Sequence, residues 1–163
     1  MKRLAFRVVV GIVATACGGG SATSPTRTFP NMIGGWIGTE SVNASALGIN
    51  ISNTCAESWT ITSQTRGDFS GTFQTTGGTT VPCSQSGTIN GSTTTNGSIS
   101  DLSFSAQVNP QQGCTLVSRT AYSGVVSSTS LSAQSTERVS CVMAGLSGLV
   151  TVDRSYVIAL TKR

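Results

Sequence analysis

The side chains able to do chemistry are few and unusual in kind. The chain has no histidine, five cysteines and six acidic residues: Glu40, Glu57, Asp68, Asp101, Glu137 and Asp153. Without histidine the usual general base, the Ser-His arrangements and the common zinc sites are lost. No Cys-x-x-Cys occurs either, so no metal site is expected. A carboxylate-dependent hydrolase needs two acids converging on one bond. The acids here are scattered, most of them in polar or turn contexts, and no spacing supports a pair. Gly18-Gly19-Gly20 does not follow a strand, so it is not a phosphate-cradling loop. The expectation is a protein that is not an enzyme, with no catalytic residues and no cofactor. The carboxylate-dependent hydrolase stands as the alternative.

The N-terminus gives an address. Lys2, Arg3 and Arg7 precede Val8–Ala16, an apolar run of nine residues. That run is too short to span a bilayer but fits the core of a signal peptide. Ala14-Thr15-Ala16 then supplies small residues before Cys17. This end resembles a bacterial lipoprotein signal, in which the cysteine is lipidated and becomes the first mature residue. The resemblance implies a signal peptide over 1–16, lipidation at Cys17 and a membrane partner through the lipid. Gly18 rather than Asp after the cysteine implies outer-membrane sorting. The pattern usually has Leu three residues before the cysteine, where this chain has Ala14. Ala14-x-Ala16 also fits the ordinary peptidase, so a soluble secreted protein is the alternative. Removing Cys17 leaves an even four cysteines, as lipidation would require. Loss of the signal leaves seven basic against six acidic residues, so the basic character belongs to the targeting segment. No basic stripe remains for nucleic acid.

Residues 17–30 read as a flexible tether, Gly-rich at first and punctuated by Pro25 and Pro30. The rest, 31–163, reads as one all-β domain. Only 10% of residues are charged, Ser, Thr and Gly abound, and no amphipathic helix appears. Strand-like segments cover Gly35–Val42, Cys55–Gln64, Phe69–Thr75, Cys83–Gly91, Ser98–Val108, Cys114–Val126, Thr129–Ser135 and Gly145–Thr161. Asn43–Thr54 reads as a loop with a short strand or turn. Arg66-Gly67-Asp68 matches an integrin-binding string but sits where a hairpin turn is needed. Ile99 is out of phase with Leu102, Phe104, Ala106 and Val108, so a bulge is expected near Ser100 or Asp101. In the last strand only Arg154 breaks the apolar face.

About eight strands in a simple meander suit a small antiparallel up-and-down barrel. A β-sandwich is the alternative. Gly38, Gly71, Gly87, Gly97, Gly124 and Gly148 recur on the apolar parity, as in strands that bend tightly to close. Asn96-Gly97 is the best candidate for a true turn. In a meander Cys55 and Cys83 begin strands one up-and-back excursion apart, and Cys114 and Cys141 are related in the same way. The expected disulfides are therefore Cys55–Cys83 and Cys114–Cys141.

Gly34-Gly35-Trp36 at the start of the domain and Lys162-Arg163 at its end look like the calycin arrangement of lipocalins and avidins. There a Trp on the first strand closes one barrel end, under a basic side chain of the last strand. The resemblance implies Trp36 for the Trp and Lys162, Arg163 or Arg154 for its partner. The extra cysteines and the missing lipocalin helix are departures, and function does not transfer with the pattern.

Two function classes follow. In the first, a lipid-anchored envelope protein holds a small apolar ligand in a cavity lined by Trp59, Phe69, Phe73, Phe104 and Tyr122, or serves as a passive scaffold. In the second, the barrel is a protein-interaction module (inhibitor, adhesin or assembly factor) with an envelope protein as partner. It would work through loops at one end, with Val142-Met143-Ala144 as an apolar patch.

Overall fold

The computed structural model describes residues 28–80, 83–106, 114–142 and 148–163. The signal segment, Cys17, most of the tether, the expected turn at 109–113 and residues 143–147 lie outside the described residues. Among the described residues nine strands are seen: β1 (Gly34–Ala46), β2 (Ile49–Thr65), β3 (Asp68–Gly77), β4 (Cys83–Thr93), β5 (Ser98–Ala106), β6 (Cys114–Arg119), β7 (Tyr122–Val126), β8 (Ser130–Val142) and β9 (Leu149–Lys162). They form one antiparallel sheet. Its order runs β6-β8-β7-β5-β4-β3-β2-β1-β9, and β9 also pairs with β8. That last ladder, thirteen residue pairs from Ser130↔Thr161 to Val142↔Leu149, closes an eight-stranded barrel. A sandwich would have left two sheets unjoined, so that alternative is overturned. β6 is an extra strand that continues along β8 past the end of β7.

Two sequence expectations are corrected. Asn43–Thr54 is not a loop: β1 and β2 pair without a break from Gly34↔Ile61 to Ala46↔Ile49, about a two-residue turn. Leu47 (φ 52°) and Gly48 (φ 78°) are both left-handed, the backbone a tight hairpin requires. Leucine is a poor residue for that position, so the turn carried no sequence signal. Cys114–Val126 is not one strand either. It breaks at Thr120–Ala121, where Thr120 bonds through both its N–H and its carbonyl to Thr136 and Ser135 of β8. β5 pairs with β7 only as far as Leu102↔Tyr122, so β6 lacks the second neighbour that would keep it in line. The bulge falls where expected, between Ile99 and Leu102, with Asp101 at φ 54°. It turns both Ile99 and Leu102 inward.

Inner faces follow period-2 alternation. Trp36, Trp59, Ile61, Phe69, Phe73, Ile89, Leu102, Tyr122, Leu131, Ile158 and Leu160 fill one half of the barrel. Val139, Cys141, Val150 and Val152, with Ala44 and Ala46 against them, form a second cluster where the long strands extend beyond it. The first half is plugged by the chain entering the barrel. Met32 is fully buried, its N–H donates to Gln64 Oε1 (2.7 Å), and its carbonyl accepts the Trp36 indole N–H (2.8 Å). Lys162 Nζ lies 5.4 Å from the Trp36 ring centre and donates to the Asn31 carbonyl (2.6 Å). Arg163 instead bonds through its backbone to Gly35, and Arg154 lies far along β9, opposite Ala44. Lys162→Ala is expected to lower stability by about 0.5–1 kcal/mol, the scale of a partly exposed cation over an indole, as read from denaturant unfolding.

Cys55 and Cys83 form a disulfide with Cα atoms 5.9 Å apart. Cys141 is also disulfide-bonded, and its register partner across β8 and β6 is Cys114. The Arg66-Gly67-Asp68 tripeptide is a hairpin turn leading into β3, and Asp68 accepts a hydrogen bond from Ser92 (2.5 Å).

Candidate functional site, a buried acid beside an aromatic chain

Four adjacent strands carry the same inward pattern of apolar, polar, apolar. β8 reads Leu131, Ala133, then Ser135, Glu137, then Val139, Cys141. β9 reads Leu160, Ile158, then Tyr156, Arg154, then Val152, Val150. β1 passes from Trp36 through Gly38 and Glu40 to Ala44, and β2 from Ile61 and Trp59 through Glu57 to the Cys55 disulfide. Along each strand these polar residues form a belt between the residues of the two apolar clusters. Three of the six acids thus fall on the inward parity of their strands, while Asp68, Asp101 and Asp153 are exposed. The even scatter of the six acids along the chain does not foretell this. The signal was present: Glu40, Glu57 and Glu137 each fall on the same period-2 parity as the apolar residues of their strand.

At one side of the belt, Tyr156 Oη and Arg154 Nη1 (3.3 Å) both donate to Glu137 Oε1. Burial, and then the bond to Glu137, push the Tyr156 hydroxyl well above its ordinary value. At the other side, Trp59 Nε1 donates to Glu57 Oε1 (2.6 Å). Glu57 is only 3% exposed. Burial pushes its carboxyl up to about 8, the charge of Glu40 adds to the rise, and the Trp59 bond opposes it. At neutral pH it is therefore the protonated acid. With Oε1 accepting from Trp59, the proton belongs on Oε2, and Oε2 has no hydrogen-bond partner among the described residues. The other buried polar side chains are satisfied. Thr75 accepts from the Gln85 N–H (3.1 Å), Ser135 donates to the Thr120 carbonyl, and Thr93 donates to the Gly67 carbonyl (3.3 Å). An unpaired buried donor costs about 1–3 kcal/mol, so the exception asks for an explanation.

A chain of rings links the two sides. Phe104 packs edge-on against Trp59 (5.6 Å between centres), Phe73 (5.0 Å) and Tyr122 (5.0 Å), and Tyr122 leans on Tyr156 (6.0 Å). Of the five residues expected to line a cavity, four meet in this chain. The fifth, Phe69, packs instead into the space left by Gly91, where a Cβ would lie 2.6 Å from its ring. Phe104 is half-buried and lies past the last β5–β7 rung, so the chain of rings reaches solvent there.

The outer face carries a different feature. A groove of about 710 Å³ crosses β2, β1, β9, β8 and the end of β6, lined among others by Asn43, Ser45, Asn50, Ser52 and Thr136. These five have the parity opposite to the core residues, and Ala44, Ile51, Glu137 and Arg154 also border the groove. At its centre Arg138 Nε and Asp153 Oδ1 pair at 2.6 Å, and the hydrogen bond from Arg138 holds the Asp153 carboxyl below its usual range. The groove is open, and both acids that line it are engaged, Asp153 with Arg138 and Glu137 with Arg154 and Tyr156.

No family model and no curated protein matches the chain. Among solved structures, one described as "Structure of EF1p2_mFAP2b bound to DFHBI" is similar at 12% identity and a TM-score of 0.41, covering 77% of this chain and 92% of that one.

Proposed function

We propose that the protein is exported, anchored by a lipid at Cys17 to the outer membrane, and that its barrel binds a small molecule with an apolar body and a polar end. The export signal and the lipid site rest on the N-terminal sequence. The ligand reading is carried by one observation: a buried Glu57 carboxyl whose second oxygen has no hydrogen-bond partner among the described residues, at the end of a chain of aromatic rings that reaches solvent. Such a group is costly in an empty barrel and useful in an occupied one. The reading is one of binding rather than catalysis.

The test uses the full-length protein from the membrane fraction. Cys17→Ala is expected to release it into the soluble exported fraction; retention in the membrane would overturn the lipid anchor. Native mass spectrometry after incubation with a small-molecule extract of the cell envelope is expected to show a discrete added mass, lost in Glu57→Leu. A bare mass for the unmodified protein under all conditions would overturn the ligand reading.

A second reading, docking of an envelope protein at one barrel end, is favoured by a specific observation. Leu47 (70% exposed), Ile49, Ile51, Val142 and Leu149 (69% exposed) gather at the β1–β2 and β8–β9 hairpin ends, opposite the Trp36 plug. Leu47 also holds a left-handed backbone that glycine or asparagine would adopt more readily. Leu47→Asn is expected to stabilise the fold by up to about 1 kcal/mol in thermal unfolding while weakening any docking at this end. A destabilised variant would show that Leu47 is there for the fold.

A further inference from the structure

We propose that Tyr156 is a redox-active tyrosine: it gives up one electron while its proton passes to Glu137, and the chain of rings brings oxidation to it from the buried Trp59. This role needs neither a cavity nor a bound molecule, and so it holds whether or not the barrel carries a ligand. The protein has two tryptophans and two tyrosines, Trp36, Trp59, Tyr122 and Tyr156. A phenol or indole that loses an electron becomes a strong acid, so an acceptor already in hydrogen-bond reach of its proton lowers the barrier. The acceptors differ. Trp36 Nε1 donates to the Met32 carbonyl, a weak base. Trp59 Nε1 donates to Glu57, whose carboxyl keeps its own proton at neutral pH. Tyr156 Oη donates to Glu137, which is ion-paired with Arg154. A carboxylate in contact with the phenol is the acceptor that proton-coupled oxidation needs.

The β8–β9 ladder sets this pair. Ser135 faces Tyr156 and Glu137 faces Arg154, so Tyr156 reaches Glu137 diagonally along the inner face. Burial and the bond to Glu137 both hold the phenol proton in place, so the resting group is the neutral phenol. The rings supply the route. Trp59 touches Phe104 (5.6 Å between centres), Phe104 touches Tyr122 (5.0 Å), and Tyr122 leans on Tyr156 (6.0 Å). Phe104 is not itself oxidised; it fills the gap that an electron crosses between Tyr122 and Trp59. Trp59 and Tyr122 are buried, whereas Tyr156 is only partly so. Oxidation that begins at the buried indole therefore ends at the ring nearest to a dissolved reductant.

Each step balances. The oxidant, a peroxyl radical, takes one electron from Trp59, leaves an indole cation radical, and becomes a hydroperoxide with a proton from water. Tyr156 returns an electron to the indole by way of Tyr122. Its O–H bond breaks and the proton goes to Glu137 Oε1, which leaves a neutral tyrosyl radical beside a neutral acid. Arg154 keeps its charge throughout. A small thiol then gives an electron to the tyrosyl oxygen and its own proton to water, while Glu137 hands the stored proton back. The resulting thiyl radicals pair as a disulfide. The protein ends as it began.

The experiment applies an ultraviolet flash to full-length protein in nanodiscs, which ionises the indoles directly, and follows the indolyl and tyrosyl radicals by transient absorbance. The expected result is an indolyl signal that converts to a tyrosyl signal in a fast phase. Trp59→Phe should remove that phase, and Tyr156→Phe should lower the tyrosyl yield several-fold. Glu137→Gln should slow the appearance of the tyrosyl radical about a hundredfold, the low end of what a positioned proton acceptor contributes. Deuterated water should slow it in the unmodified protein, a readout that does not depend on any variant folding. An unchanged rate in Glu137→Gln, or the same rate in both waters, would overturn the proton path. A radical that stays on the indole, or a full tyrosyl yield in Tyr156→Phe, would overturn the assignment to Tyr156.

Discussion

Glu57→Gln is expected to make the protein more stable at pH 9 and to change its stability little at pH 4. The sign follows from where the proton is held. In the unfolded chain the Glu57 carboxyl titrates at its ordinary value of 4.5, and in the barrel burial raises it to about 8. The native state therefore binds this proton more tightly. Any stability that depends on it is fully present below pH 4.5, drains away as pH rises, and is gone above pH 8. The slope between those limits is about 1.4 kcal/mol per pH unit, so the whole loss is on the order of 3–5 kcal/mol. Glutamine keeps the shape, can still accept the Trp59 N–H through its carbonyl oxygen, and cannot ionise. Denaturant unfolding at pH 4, 7 and 9 with the disulfides intact reads the difference directly. The two proteins should converge at pH 4 and diverge in favour of the variant at pH 9. Parallel curves would mean that Glu57 reaches water in solution and that the barrel is open at the belt.

The same residue shows what the sequence could and could not say. Strand alternation is local, so the all-β class, the bulge at Asp101 and the hairpin at Arg66–Gly67 could all be read in advance. The β1–β2 turn could not, because Leu47 is the wrong residue for a left-handed position and tertiary pairing overrides it. The acid belt required two steps at once. Each acid had to be placed on the inward parity of its own strand, and four strands had to be set in register around a closed barrel. Parity is legible from a single strand, but setting Glu40 and Glu57 beside Arg154 and Glu137 depends on the β1–β9 ladder between segments distant in the chain. Arg154 illustrates the gap. It stood out as the one break in an apolar face and was matched to Trp36 by resemblance, whereas the register carries it to Glu137. The break marks a polar partner on the adjacent strand β8 rather than a cap at the barrel end. Met32 was missed for a related reason: nothing in a Pro-flanked segment foretells that its one apolar side chain will plug the barrel.

Gly38→Val is expected to cost about 3 kcal/mol or more, near the upper limit for overpacking, while the same change at Gly148 costs less than about 0.5 kcal/mol. Both glycines belong to the same recurring sequence pattern, and the structure separates them. A Cβ at Gly38 would lie 1.9 Å from the Ala159 carbonyl oxygen, and at Gly148 it would meet nothing within 4 Å. Gly71 and Gly124 behave like Gly38, with Thr60 O at 2.1 Å and Ser132 O at 2.0 Å. In each case the obstructing carbonyl belongs to the residue just before a register partner: Ile61 for Gly71, Leu160 for Gly38 and Ala133 for Gly124. The strands are pressed together there on the inner side, as sharp bending in a small barrel demands. Backbone cannot rotate away as a flexible side chain would, so the added atoms must push β1 from β9. Gly97 is different again, a left-handed turn residue at φ 84°. Gly38 also faces Glu57 across the ladder, which ties this prediction to the first. A Gly38→Val protein that still folds should admit water at the belt. Its Glu57 should then titrate closer to the ordinary carboxylate range, and the fall of stability between pH 4.5 and 8 should flatten. Loss of stability with an unchanged pH slope would mean that the strands yield elsewhere and that the belt is sealed independently of the β1–β9 seam.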